Sequence, residues 1–343
     1  MSEFINRPLS RRGFLGGATV AAGLGLTACG GGQQKAAEAP SGKEGGGTIT
    51  AGTAYSTQNY DPSTTSSALA LGVNWQVVEG LYGLNFHDYS TFNELATADP
   101  KKVDDYTFEI TLRDGAKFSD GNEVKADDVV ESFNRSAAKG SVYVPMLSPI
   151  ASVEKKDDKT VTVKTTIANF SLLKERLSIV RVVPASSSQD EMKKQPVGSG
   201  PWQFESISDN TLDLVPNKNY NGATPAKDDK LHYDVLKDPT ARLTAQQDGT
   251  TLAMEMVPAD AVDQLKGAGC TVDAVQGFGV RFAMFNLGKA PWDNVKVRQA
   301  CLYALDTDKM LANAFSGQAE VATSYLPSSF ANYHKASTVY AHD

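Results

Sequence analysis

Hydrophobic positions along the chain change period repeatedly. Residues 48–53 (TITAGT) read as a short strand, and Leu69, Val73, Val77 and Leu81 then recur at helical spacing, which predicts an amphipathic helix over residues 66–82. Phe108, Ile110 and Leu112 alternate within residues 106–112, the pattern of a half-buried strand. Residues 126–135 predict a helix with Val129, Val130 and Phe133 on its apolar face. Asp127 and Asp128 open it, where carboxylates face the positive end of the helix dipole, so they read as end-stabilising groups and not as an acid–base pair. Two hairpins follow, residues 152–165 around Asp157 and Asp158, and residues 202–215 around Asp209 and Asn210 with Trp202, Phe204, Leu212 and Leu214 facing one core. Residues 240–247 predict a helix and residues 281–286 (RFAMFN) a strand. Asp293 is placed as the N-cap of a helix carrying Val297, Ala300, Cys301, Ala304 and Leu305. Asp306 or Thr307 caps the next helix, which ends before Gly317. Strands and helices mixed at this spacing predict an α/β protein.

The N-terminus departs from that pattern. Arg7, Arg11 and Arg12 precede a mildly apolar stretch over residues 14–26, which then gives way to small residues, the anatomy of a signal peptide. The stretch falls short of the roughly 20 residues that a spanning helix needs. Ser10, Arg11, Arg12, Gly13, Phe14 and Leu15 resemble the twin-arginine export signal, with Gly16 where Lys is common. Leu26, Thr27, Ala28 and Cys29 resemble a bacterial lipobox, whose Cys thiol takes a diacylglycerol and becomes the mature N-terminus. These resemblances imply a signal peptide over residues 1–28, lipidation at Cys29 and a flexible Gly- and Ala-rich tether over residues 29–46. They imply an extracytoplasmic protein held to the outer face of the cell membrane by its lipid.

Composition narrows the function classes. The 343 residues hold 33 Lys and Arg against 40 Asp and Glu, a net charge of −7, with no run of cations, which argues against a nucleic-acid partner. Removing residues 1–28 leaves 30 cations against 39 anions, so the exported part carries −9. Three Cys and four scattered His (His87, His232, His334 and His342) fit neither a disulfide framework nor metal-ligand spacing, and no metal or cofactor is expected. Cys270 and Cys301 would be free to pair in an oxidising compartment, although Cys301 on an apolar helix face also reads as a small hydrophobe. Gly198, Ser199 and Gly200 lack the G-x-S-x-G frame, and Pro201 would prevent the nucleophile elbow. G-x-x-x-x-G-K-[ST] and G-x-G-x-x-G are absent. Paired carboxylates for glycoside hydrolysis stay open, since their separation in space decides. The chain reads as a binding protein and not an enzyme.

Residues 105–135 (DYTFEITLRDGAKFSDGNEVKADDVVESFNR) carry a longer pattern: Tyr106, Thr107 and Phe108, then Leu112 and Arg113, Gly115, Lys117 and Phe118, Asp120 and Gly121, Ala126 through Val129, and Ser132 with Phe133. This resembles the signature of the family 5 extracellular solute-binding proteins, the oligopeptide, dipeptide and nickel receptors of ABC importers. Residues 197–204 (VGSGPWQF) resemble its Gly-Thr-Gly-Pro-aromatic segment and residues 217–222 (NKNYNG) its Asn-Pro-x-Tyr-Trp-Gly. Residues 281–306 resemble the strand and the Val-Arg-Gln-Ala run that open a second lobe, and the likeness extends over about residues 47–327. Lys125 departs from the family's capping Thr, residues 246–249 (QQDG) replace an apolar residue and Ser-Gly, and residues 250–255 lack the acid usual at the following turn.

The resemblance implies a two-lobed, type II periplasmic-binding-protein-like α/β fold. Lobe I would comprise residues 47–84 and 195–277, with an inserted subdomain over residues 85–194, and lobe II would start at residues 278–343 and be incomplete, since family members run on past this length. It implies a monomer that captures small peptides by closing two lobes and delivers them to the permease subunits of an ABC importer. A nickel, haem or oligosaccharide receptor on the same scaffold, or a nonfunctional remnant, is the alternative. Ligand contacts are expected from Tyr55, Ser56, Gln58, Asn59 and Tyr60, near the cleft mouth in the family, although Tyr60 and Asp61 equally fit a turn before Pro62. Arg113, Asp120 and Asp128 read as salt bridge, turn closure and helix cap, and Trp202 and Trp292 as packing residues.

Overall fold

A computed structural model describes residues 45–275, 277, 279–330 and 332–343. Arg11, Arg12, Cys29 and nearly all of the expected tether lie outside the described residues. Strand β1 (Thr48–Thr53) leads through a loop to helix α1 (Ala68–Val77), hairpin strands β2 (Tyr82–Leu84) and β3 (Thr91–Asn93), then β4 (Lys101–Lys102) and β5 (Thr107–Thr111). Helices α2 (Ala126–Ser136) and α3 (Val144–Leu147) precede β6 (Ile150–Lys155) and β7 (Thr160–Thr165), then α4 (Leu173–Leu177) and α5 (Gln189–Lys194). Next come β8 (Trp202–Ile207), β9 (Thr211–Pro216), β10 (Lys230–Val235), α6 (Pro239–Gln247), β11 (Ala253–Met254) and α7 (Val262–Gly267). Helices α8 (Val295–Tyr303) and α9 (Thr307–Phe315) are the last.

Two sheets carry two cores. The first sheet runs β11-β1-β10-β9-β8, with β1 parallel to both β10 and β11 and the remaining pairs antiparallel. Trp202, Phe204, Leu212, Leu214 and Leu231 point from it onto Leu69, Ala70, Val73 and Val77 of α1. The second sheet, β4-β5-β7-β6, is antiparallel, and Phe108, Ile110, Val161 and Val163 meet Val129 and Phe133 of α2. The alternation predicted for residues 106–112 is thus the buried face of β5, and both predicted hairpins form. Asp128 Oδ2 accepts the N–H of Lys125 (2.8 Å) and Oδ1 that of Ala185 (2.8 Å). Lys125 itself brings no acceptor to the N-cap of α2, so the acid three residues on does what it can from its side.

The chain crosses from one core to the other between Val78 and Leu81 and returns between Val182 and Val183. This crossing corrects the predicted extent of α1, which stops at Val77 and not at residue 82. Val78 is extended, and Gly80 pairs with Arg181 in an isolated antiparallel bridge, so Leu81 is buried in the other core. Four charged side chains lie at the crossing. Arg113 grips Glu79 through two bonds (2.8 and 2.7 Å) and also donates to the carbonyl of Glu94 (2.6 Å). Arg181 donates to Glu94 Oε2 (2.7 Å) and lies 3.2 Å over the Trp75 ring. Burial pushes the Glu79 carboxyl up, against the opposing pull of Arg113.

The blocks that carry the family likeness converge here too. Ser119 N–H donates to the carbonyl of Gly198 (2.9 Å), Asn217 Nδ2 to that of Gly200 (2.8 Å), and Asn221 Oδ1 accepts from Arg113 Nε (2.9 Å). Asp120 closes its turn by accepting from Asn122 N–H (2.9 Å). Gly198 and Gly200 pass so close to the end of α1 that an added Cβ would stand 2.0 Å from Val77 O and 2.5 Å from Gln76 O. The Gly-Ser-Gly-Pro run is therefore a strap across α1.

Two further expectations are corrected. Residues 281–286 form no strand: Phe282 is 73% and Met284 86% exposed, and no strand among the described residues pairs with them. An unpaired strand leaves its backbone groups without ladder partners, so water takes them instead. The N-cap of α8 is Asn294 and not Asp293, its side chain accepting from Lys296 N–H (2.8 Å), and the predicted apolar face of α8 buries nothing. Cys270 and Cys301 are free thiols. Trp202 is core, whereas Trp292 stacks on Phe285 with ring centroids 5.1 Å apart.

Breaking one partner of a buried pair strands a charge, so Arg113→Ala should cost about 3–5 kcal/mol of stability. The double replacement E79L/R113M should recover most of it, because the charge leaves with its partner. Urea unfolding checks both, and a single variant as stable as the double one would remove the pair from its structural role.

Candidate functional site

Open α/β sheets bind ligands beyond the carboxyl ends of their parallel strands. Here those ends are Thr53, Val235 and Met254, followed by the loop 54–64, by Leu236 and Lys237, and by Glu255 and Met256. Arg242 fastens two of them. It rises from α6, is 3% exposed, and spends its guanidinium on carbonyls: Leu236 (2.6 Å), Lys237 (3.1 Å), Glu255 (3.2 Å) and Met256 (3.2 Å). Four of the five guanidinium N–H donors are thereby spent on carbonyl dipoles, without a carboxylate. Asp238 positions the helix, accepting from Ala241 N–H (2.8 Å) with Pro239 as first helical residue.

Glu255 ties the third end. Its Oε1 accepts from Thr53 Oγ1 (2.5 Å) and from Ala54 N–H (3.2 Å), and Thr53 Oγ1 accepts in turn from Tyr55 N–H (3.2 Å). Beside it Tyr233 receives a bond from Gln76 Nε2 (2.8 Å), and burial, opposed by that bond and reinforced by the Glu255 charge, pushes the phenol up.

The five residues expected to touch ligand share the loop but not one role. Tyr60 is 3% exposed, set edge-on to Phe204 at 5.6 Å, with its carbonyl bonded by Asn74 Nδ2 (2.8 Å). Asn59 accepts from Asp61 N–H (3.1 Å) and donates to Thr64 Oγ1 (3.2 Å). Asp61, fully buried, accepts from Ser63 N–H (2.9 Å), Ser63 Oγ (2.7 Å) and Thr64 Oγ1 (3.0 Å). That half of the loop is a self-bonded turn, the other reading of Tyr60 and Asp61. Tyr55 is half-buried against the core, and Ser56 and Gln58 are exposed, Gln58 donating to Asp209 (2.8 Å).

Thr53, Arg242 and Glu255 were not among the expected site residues. Only the Asp-Pro before α6 signals its start, and nothing local signals that an arginine within it reaches carbonyls 5 to 14 residues away. Two shallow surface hollows, about 270 and 330 Å³, lie elsewhere, by Pro184, Ser187 and Val197 and by Asp61, Arg135 and Ser141. Neither is lined by Thr53, Tyr55, Arg242 or Glu255.

On the sheet's other face His232 bridges β9 and β10, with Nδ1 2.6 Å from Asp213 and Nε2 3.3 Å from Asp234. Burial disfavours the imidazolium, but the two carboxylates outweigh it and its pKa is raised. A raised pKa stabilises the fold fully below the unfolded value of about 6.5 and ceases to do so as pH climbs through the folded value. Urea midpoints should therefore fall across that window in the parent chain and stay flatter in H232Q; an equal fall in both would clear His232.

Known proteins complete the picture. The family described as "Bacterial extracellular solute-binding proteins, family 5 Middle" matches residues 92–343. Heme-binding protein A of Haemophilus influenzae is 32% identical over 295 residues, covering 76% of this chain and 53% of its own length. Among solved structures, the oligopeptide-binding protein AppA of Bacillus subtilis with a nonapeptide superposes with a TM-score of 0.74 at 22% identity, covering 88% of this chain and 62% of that one. The periplasmic binding protein DppA of Helicobacter pylori with the peptide STSA gives 0.76 at 19%, covering 88% and 64%. The chain spans about half the length of the relatives it matches.

Proposed function

The chain belongs to the family 5 bacterial extracellular solute-binding proteins and superposes on part of their two-lobed, mixed α/β fold, and from that premise we propose that it captures small peptides for an ABC importer, acting as a monomer and without catalysis. The observation that supports this reading is the coincidence of the family match with an open polar edge on the first sheet. There Tyr55, Ser56 and Gln58 are the half of the loop not consumed by its own turn; Tyr55 N–H bonds Thr53, Thr53 bonds Glu255, and Ser56 and Gln58 are exposed. An extended peptide is held by backbone bonds and loose side-chain pockets, which suits exposed polar groups at strand ends better than an enclosed apolar cavity. Closure follows if the ligand bonds to both lobes, since only a differential contact shifts an open–closed equilibrium.

We assign lobe I to residues 47–84 and 195–277, its inserted subdomain to residues 85–194 and the opening of lobe II to residues 278–343. The two hydrophobic clusters support a division of this kind but put its boundaries at the crossings, since Leu81 and Tyr82 pack in the subdomain's core and Val183 and Met192 in that of lobe I. Heme is the second reading, favoured by the relative at 32% identity whose name states that ligand.

A thermal-shift screen of the full chain separates the readings. Di- to pentapeptides should raise the melting temperature by several degrees once their concentration exceeds Kd roughly 100-fold. A response to heme, nickel chelates or oligosaccharides instead would replace the peptide reading, and no response from any of them would sink it.

Export through Arg11 and Arg12 and diacylglycerol at Cys29 would place this receptor on the outer face of the cell membrane, tethered by residues 29–46. No helix among the described residues is long and apolar enough to cross a membrane. Cells grown with a palmitate analogue should label the chain, and C29A should remove the label. An unlabelled parent chain with Cys29 intact would overturn the anchor.

A further inference from the structure

We propose that Asn221 is a self-modification site, at which the backbone nitrogen of Gly222 displaces the side-chain amide nitrogen while Arg113 acts as the electrophile on the amide oxygen. The reaction needs neither a ligand nor a second lobe, so it stands apart from the peptide reading above.

Asn221 and Gly222 form the only Asn-Gly step in the 343 residues. Asn221 stands where the pattern Asn-Pro-x-Tyr-Trp-Gly has Trp, so the amide is a departure of this chain. Its side chain is held at both ends: Oδ1 accepts from Arg113 Nε (2.9 Å), and Nδ2 donates to the Asp114 carbonyl (3.0 Å). A guanidinium only donates and a carbonyl only accepts, so the amide cannot be turned round. Arg113 cannot swing away either, because its other two nitrogens are bonded to Glu79 and to the Glu94 carbonyl. Packing demands glycine at the next position, where an added Cβ would stand 2.3 Å from the Tyr220 hydroxyl. The Gly222 N–H donates to no acceptor among the described residues, and Asn221 is exposed to water.

Nucleophile, electrophile and oxyanion donor thus stand within one dipeptide and one guanidinium. Gly222 N gives its proton to hydroxide and bonds to Asn221 Cγ. Negative charge gathers on Oδ1, where Arg113 Nε already donates. Collapse breaks the bond from Cγ to Nδ2, and that nitrogen leaves as ammonia with a proton taken from water, which closes a succinimide ring. Water then opens the ring, at Cγ to give aspartate or at the main-chain carbonyl carbon to give isoaspartate, whose chain runs through Cβ and Cγ. In sum one water enters and one ammonia leaves, with no oxidant or reductant. The product bears on the crossing between the two cores. A carboxylate at this position still accepts from Arg113, which then serves a second anion beside Glu79, but it has no hydrogen left for the Asp114 carbonyl.

Ageing the purified full chain in mildly alkaline buffer, with peptic mapping by mass spectrometry, tests this. The fragment around Asn221 should gain one dalton, partly as isoaspartate, ahead of every other asparagine-containing fragment, and in N221Q that gain should vanish. The native chain should convert roughly tenfold faster than the same chain unfolded in urea, a modest share of the about 10²–10³ that one positioned oxyanion donor gives an enzyme. R113K keeps a cation beside Glu79 without the fork that reaches Asn221 as well, so the native rate should fall to that of the unfolded chain. If Asn221 survives in the native chain as long as in urea, or longer, the fold does not promote the reaction and the proposal is overturned. A folded R113K that converts at the parent rate overturns it equally, since Arg113 is then no electrophile.

Discussion

Everything in the fold turns on the buried ionic knot between its two cores. Glu79 and Arg113 form a two-pronged pair with side chains 6% and 15% exposed, and Glu94 and Arg181 a second at 10% and 4%. Their four members come from four separate stretches, the end of α1, the exit of β3, the exit of β5 and the segment after α4, and Asn221 joins from a fifth through Arg113. Hydrophobic contact cannot specify such a junction, because apolar surfaces slide with little penalty, whereas a buried carboxylate misplaced by one residue loses both its bonds. Buried pairs add little net stability over apolar replacements. Their effect here is to fix where the chain may cross, and both crossings, at Val78 and at Val182, lie within one or two residues of the knot.

From the knot outward, each restraint sets the next. Glu79 holds the exit of α1, and the end of α1 is in turn overlaid by Gly198 and Gly200, where no side chain fits. The strap delivers Trp202 to the start of β8, and β8 to β10 bring Val235 level with Thr53. Arg242 and Glu255 then lock the strand ends from the other side. Pre-organisation of this sort costs nothing at the moment of binding, since the groups are already ordered.

Much of this was legible from pattern and spacing. Alternation located β5 and both hairpins because each has one face on a core and one on solvent, the condition under which period two is visible. Arg113, Asp120 and Asp128 were read as structural groups, and each has bonds of that kind. What stayed hidden depended on partners far away in the chain. Leu81 keeps helical phase with Val77, yet it belongs to the other core, since the knot pulls the backbone straight between them. Residues 281–286 alternate like a strand without a neighbour to pair with among the described residues. Arg242 and Glu255 look like ordinary surface charges in the sequence, and only the parallel register of β1 with β10 and β11 brings them to the same edge.

That edge also differs in kind from the chain that follows it. Helices α8 and α9 bury no residue, and Tyr303, Leu305, Met310 and Tyr325 stay at least 41% exposed. Nine-residue helices are marginal alone, so the N-caps Asn294 and Asp306 supply stabilisation that packing does not. Strand ends bound by Arg242 and Glu255, by contrast, belong to a sheet with a core beneath it. Buried packing extends as far as Leu265, which is 1% exposed, and Thr53, Tyr55 and Glu255 all fall before it. Their arrangement is set by the first sheet and its bonds to Arg242 and Glu255, not by the residues beyond 270.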